Sequence, residues 1–135
     1  MPEMVMAEIE MVSAEFHGDK TRTYLSGFSM GGDGVYDVAA RWPERFAALI
    51  AISALGPSDN RALVQRIQRI PLKIFHGAED ERVPVQAARR LVADLKKAGA
   101  AIEYTEYPDA RHGPTAERTY ENEALFDWLL AQHQN

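Results

Sequence analysis

The run Phe46-Ala47-Ala48-Leu49-Ile50-Ala51-Ile52-Ser53 constrains the fold of this chain most. It is apolar nearly throughout, with no alternation of polar and apolar positions. A strand with one wet face alternates, whereas a strand covered on both faces does not. Such a strand belongs inside a parallel sheet with helices on each side. The rest of the sequence alternates in the same sense. Thr21–Ser26 reads as a strand, and residues 30–41 as a helix stopped at Trp42-Pro43. A short helix is predicted over Arg61–Arg69, then a strand over Pro71–His76. Val85–Ala98 places Ala88, Leu91, Val92 and Leu95 on one helical stripe, with Gly99 as its stop. Ile102–Tyr107 is the next strand. Asn122–Gln132 closes the chain as a helix with Leu125, Phe126, Leu129 and Leu130 turned inward. At the other end, Met4–Phe16 sets Met4, Ile9, Val12 and Phe16 at helical spacing. The Met and aromatic positions of these helices read as core. The expectation is an α/β fold, a parallel sheet of about four strands with flanking helices, in one domain spanning residues 1–135.

Composition narrows the function. Apolar residues make up 46% of the 135 and charged residues 26%, a globular balance. A formal charge of −5 argues against nucleic acid or an anionic membrane as partner, because both require a basic face. Cysteine is absent, which removes disulfides, thiolate metal sites and a Cys nucleophile. No histidine spacing suggests a metal site, and no cofactor is expected. The N-terminal MPEMVMAEIEMVSAEF has four glutamates and no basic segment, unlike a secretory leader. A cytoplasmic location is expected, with secretion possible had an N-terminal part been lost.

Chemistry concentrates in Gly27-Phe28-Ser29-Met30-Gly31-Gly32, between a predicted strand and a predicted helix. A hydroxyl nucleophile needs a sharply turned, exposed position at the head of a helix. Side chains two residues before and after such a serine would strike neighbouring chain, hence Gly27 and Gly31 in a G-x-S-x-G elbow. The N–H of Met30 would then serve as an oxyanion donor, aided by the positive end of the helix. The bland reading is a tight turn whose glycines at 31, 32 and 34 allow helix and sheet to approach closely. The run lacks the spacing of a nucleotide-binding loop.

A serine needs a base, and the base needs an acid to orient it. Strand 71–76 is followed by Gly77-Ala78-Glu79-Asp80-Glu81-Arg82-Val83-Pro84, and strand 102–107 by Pro108-Asp109-Ala110-Arg111-His112-Gly113. In a parallel sheet these loops gather at one edge with the elbow. His112 is the candidate base. Asp80 is the candidate acid, with Glu79 and Glu81 as alternatives and a helix-capping role for Asp80 as the structural one. His76 is expected to hydrogen-bond locally, and His17 and His133 to lie in solvent.

These segments resemble the serine esterases of the α/β-hydrolase superfamily: the carboxylesterase–phospholipase, dienelactone-hydrolase-like and prolyl-oligopeptidase-like groups. GFSMGG followed by DVAARWPERFAALIAIS is similar to their elbow, following helix and next strand. HGAEDERVPV is similar to their HG-x-x-D-x-x-V-P loop, and YTEYPDARHG to their histidine loop. The resemblance implies a Ser29-His112-Asp80 triad and hydrolysis of a carboxylic ester through an acyl-enzyme. The connection after Ser53 is too short for a large lid, which favours a small ester substrate. Dienelactone hydrolases proper carry Cys at the Ser29 position, which directs the expectation away from that particular reaction.

The resemblance also implies four further strands before the elbow strand, and this sequence contains none of them. It therefore reads as a truncated fold, the C-terminal two-thirds, without the turn that supplies a second oxyanion donor. Two expectations follow. The outer edge of strand 21–26 and part of the Met4–Phe16 helix would be bare, predicting a homodimer through that open edge. The alternatives to the esterase are a non-catalytic half-domain serving assembly, and a peptidase or thioesterase with the same triad.

Overall fold

The computed structural model describes residues 1–135. Its elements run α1 (Pro2–Glu15), β1 (Tyr24–Phe28), α2 (Met30–Arg41), β2 (Ala48–Ile52), α3 (Arg61–Ile67), β3 (Leu72–Gly77), α4 (Val85–Lys97), β4 (Ile102–Tyr107), α5 (His112–Tyr120) and α6 (Glu123–Leu130). The four strands form one parallel sheet in the order β1-β2-β3-β4. No helix is long and apolar enough to cross a membrane.

Every residue of β2 is buried, for the reason its composition suggests. Leu49 and Ala51 face a core built with α1 to α4, Leu72 and Ile74. Ile50 and Ile52 face a second core with Phe75, Tyr107 and Leu125, against which residues of α5 and α6 rest. The amphipathic α4 buries Ala88, Leu91, Val92 and Leu95, as its spacing predicts. Sheet geometry then gathers the C-terminal ends of all four strands at one rim, where the turns into α2, α4 and α5 lie.

Four expectations are corrected. The first strand covers Tyr24–Phe28 rather than Thr21–Ser26, and Lys20–Arg22 is a turn of 3₁₀ helix. Asp19 causes this, because its carboxylate accepts from the Thr21 amide at 2.9 Å and the Thr21 hydroxyl at 2.6 Å. Second, α5 has no counterpart in the predicted elements. Gly113-Pro114 looks like a breaker, yet a proline in the first turn removes no intrahelical hydrogen bond.

Third, α6 turns Leu125 inward, with Trp128 and Leu129 half-buried beside it, while Phe126 is 43% and Leu130 63% exposed. The inward stripe is 125, 128 and 129. Fourth, α1 buries only Met6 and leans Ile9 on the core. Met4, Met11, Val12 and Phe16 stand exposed, the bare apolar face expected of an unpartnered helix and not core.

Candidate active site

The elbow is set by backbone before side chains. β1 ends at Phe28 and α2 begins at Met30, leaving Ser29 alone to turn the chain. It does so at φ 57° and ψ −120°, a conformation costly for a residue with a Cβ. Two bonds hold it there. The Ser29 amide donates to the Ile52 carbonyl at 2.8 Å, and the Gly32 amide donates to the Ser29 carbonyl at 2.9 Å. A Cβ on Gly27 would run into the Gly31 carbonyl, so glycine is obligatory there.

Gly31 differs from expectation, because a Cβ at that position meets nothing within 4 Å. The close approach belongs instead to Gly32, whose Cβ would lie 2.8 Å from that of Ala54. The collision rule therefore holds before the serine and shifts one residue after it. Met30 occupies the first helical position, with its side chain 83% exposed and its N–H in the unpaired first turn.

Gly77 brings the other two loops together. A side chain there would strike the Ala110 carbonyl, so only glycine lets the end of β3 lie against the chain leaving β4. The Ala78 and Glu79 amides bond across this seam to the carbonyls of Tyr107 and Ala110, at 2.9 and 3.1 Å. Asp80 and His112 are thereby fixed relative to each other. The enclosed Asp80 carboxylate accepts from the Val83 amide at 2.8 Å and the Arg82 amide at 2.9 Å through Oδ1. Its Oδ2 takes a bond from His112 Nδ1 at 2.7 Å.

Burial alone would push this carboxyl's pKa up. The Val83 amide, the His112 bond and the Arg82 amide together outweigh burial and hold it below the usual aspartate value. An ionised Asp80 only accepts, so Nδ1 of His112 carries the proton of their bond. Nε2 is left to accept from the Ser29 hydroxyl, 2.9 Å away. The Phe28 ring lies against the His112 imidazole with centroids 4.8 Å apart, which restrains the ring's tilt.

Ser29, Asp80 and His112 thus come together from three strand ends, and Met30 and Gly27 flank the serine. Glu79 is exposed and makes no side-chain bond to the histidine; Glu81 reaches the Arg111 guanidinium and the His112 amide at 3.4 Å, outside the imidazole. Sequence reasoning missed Phe28, though an aromatic residue immediately before the serine was a visible signal. His76 bonds locally as expected, with Nε2 2.9 Å from the Val83 carbonyl.

A family model described as the dienelactone hydrolase family matches residues 3–130. The chain belongs to the dienelactone hydrolase family. Among solved structures, a thermostable esterase is 32% identical with a TM-score of 0.81, covering 98% of this chain and 37% of its own. Arabidopsis thaliana SOBER1 is 21% identical with a TM-score of 0.77, covering 96% of this chain and 62% of its own. Pyrococcus horikoshii acylaminoacyl peptidase is 16% identical with a TM-score of 0.78, covering 96% and 27%. The last two likenesses concern the fold alone. This dienelactone hydrolase family chain spans between 27% and 62% of the length of these structures.

Proposed function

We propose that this chain carries the reactive centre of a serine hydrolase that cleaves carboxylic esters with small acyl groups. The observation that carries the reading is the bridging imidazole, His112, bonded at 2.9 Å to the Ser29 hydroxyl and at 2.7 Å to Asp80. In this reading Ser29 Oγ attacks the acyl carbon while His112 Nε2 takes its proton. Asp80 holds the tautomer and offsets the imidazolium charge. The Met30 N–H receives the oxyanion, a contact whose loss typically costs on the order of 10²–10³ in rate. His112 then gives its proton to the departing alcohol. In the second half, His112 deprotonates water, which attacks the acyl-Ser29 ester and releases the carboxylic acid.

Esterase chemistry is favoured by the 32% identity to a thermostable esterase over nearly the whole chain. The short 53–60 connection between β2 and α3 favours compact acyl groups. Turnover of p-nitrophenyl acetate and butyrate should be measurable and should vanish in Ser29→Ala. Equal turnover by both proteins would refute the assignment, and no turnover at any concentration would favour a purely structural half-domain.

The same reading includes a homodimer. β1 pairs with β2 alone, and beside its start lies a groove bordered by Ile9, Val12, Thr23 and Tyr24. Val12 is also one of the exposed apolar residues of α1 and its end, with Met4, Val5, Met11 and Phe16. A second copy meeting this edge across a two-fold axis would pair the unpaired backbone groups and cover that stripe. Light scattering after size exclusion should give twice the 15.1 kDa chain mass, and a stable monomer would exclude this assembly.

A further inference from the structure

Two enclosed side-chain atoms have no hydrogen-bond partner: Ser53 Oγ and His76 Nδ1. Both residues are fully buried. They are neighbours by register, since Ile52 pairs with Phe75 and the Ser53 amide continues the ladder to the Phe75 carbonyl at 2.9 Å. The register places Ser29 beside Ser53 on one side and Glu106 beside His76 on the other. A row of polar residues, Ser29-Ser53-His76-Glu106, therefore crosses all four strands at the rim where the reactive groups lie. Below it every level of β2 is apolar.

The other ring nitrogen of His76 is occupied. Nε2 lies 2.9 Å from the Val83 carbonyl and 3.4 Å from Asp80 Oδ2, the oxygen that receives His112. A carbonyl only accepts, so Nε2 carries the proton of that bond. Nδ1 then requires a donor, and the neighbouring hydroxyl is one. Two buried polar atoms of complementary type at adjacent positions are costly apart and inexpensive together. Ser53 also holds φ 50°, a strained value that a simple strand end has no need of.

We propose that His76 is a positioning residue for Asp80, and that the Ser53 hydroxyl supplies the donor its Nδ1 lacks through one enclosed water. The inference rests on the triad reading above. His76 Nε2–H anchors the Val83 carbonyl, and the amide of the same Val83 anchors Asp80 Oδ1. The imidazole thereby fixes the loop that aims the carboxylate at His112. It touches neither substrate nor the reacting atoms.

The test uses His76→Leu, His76→Gln, His76→Asn and Ser53→Ala in the full chain. Glutamine places an amide donor near the position of Nε2, whereas asparagine falls short. Two readouts apply: kcat and KM for p-nitrophenyl acetate, and the far-downfield proton resonance of the His112–Asp80 bond, which needs no turnover. His76→Leu and His76→Asn should lower kcat by roughly 10- to 100-fold at unchanged KM, comparable with losses on removing partners one step behind metal ligands. The resonance should move upfield or vanish in both. His76→Gln should restore kcat to within about threefold, and Ser53→Ala should fall between.

Should His76→Leu not fold, the Gln–Asn pair decides the matter. Equal kcat and an unmoved resonance in that pair would overturn the inference. A Ser29→Ala protein as active as the wild type would instead overturn the triad reading. The two failures are thus told apart.

Discussion

β1 and β2 lie side by side, have five residues each and end at the same rim, yet they are built differently. All five residues of β2 are buried, and none of β1 is. β2 has a strand on each side and a core on each face, so its apolar side chains supply cohesion and leave no room for chemistry. β1 has a partner on one side only, and it ends at the strained, half-buried Ser29. Cohesion and the proposed reactivity are separated by one strand spacing. The polar rim carries the proposed reaction, and the level below it carries the fold.

Rim substitutions should therefore cost rate and leave stability nearly intact. The largest effect expected is on Asp80. Asp80→Asn should lower kcat by about 10⁴-fold, because an amide partner favours the wrong imidazole tautomer. The exposed neighbour change Glu79→Gln should lower it by less than about twofold; the reverse ranking would move the acid to Glu79. Steady-state kinetics on a short p-nitrophenyl ester checks both.

Interior substitutions should do the opposite. Leu49→Ala in β2 removes a fully buried side chain and should cost about 2–5 kcal/mol in denaturant unfolding. Leu25→Ala in half-buried β1 should cost clearly less. Equal costs would break the comparison between the strands.

The elbow glycines sharpen it further. Gly27→Ala forces a Cβ into the Gly31 carbonyl and should cost about 1–3 kcal/mol, with loss of activity. Gly31→Ala enters open space in a helix and should stabilise by about 0.5–1 kcal/mol. Thermal unfolding of the two variants reads the sign directly.

The smallest effect concerns pH. Asp80 has a lowered pKa in the folded chain, so its contribution to stability is complete above the unfolded value, near ~4. That contribution is lost as the pH falls through the folded value. The melting-temperature gap between wild type and Asp80→Asn should therefore narrow on acidification below about pH 4 and stay constant from 5 to 7. A gap independent of pH throughout would show that the carboxylate charge is not what the loop stabilises.

The contrast between the strands also explains what could be read in advance. β2, α4 and α2 were legible because burial on two faces or one helical stripe leaves an unbroken pattern. The elbow and the loop of Asp80 were legible because glycine at 27 and 77 is demanded by backbone contact. β1 was misplaced because Thr21 and Thr23 suit a strand locally, while the Asp19 side chain draws residues 20–22 into a turn. Gly27 reads as a strand breaker, yet it lies inside the strand because the Gly31 carbonyl occupies the space of its missing side chain. Ser53 carries no motif. Its placement arises from strand register, which no local pattern encodes.

The central claim is that Ser29 is the nucleophile and that His112 activates it. Labelling with a serine-directed fluorophosphonate, read by mass spectrometry of the digested protein, tests this most directly. One modified residue, Ser29, is expected in the wild type, with labelling slowed by orders of magnitude in His112→Ala and absent in Ser29→Ala. Modification at Ser26 or Ser53, or undiminished labelling of His112→Ala, would contradict it.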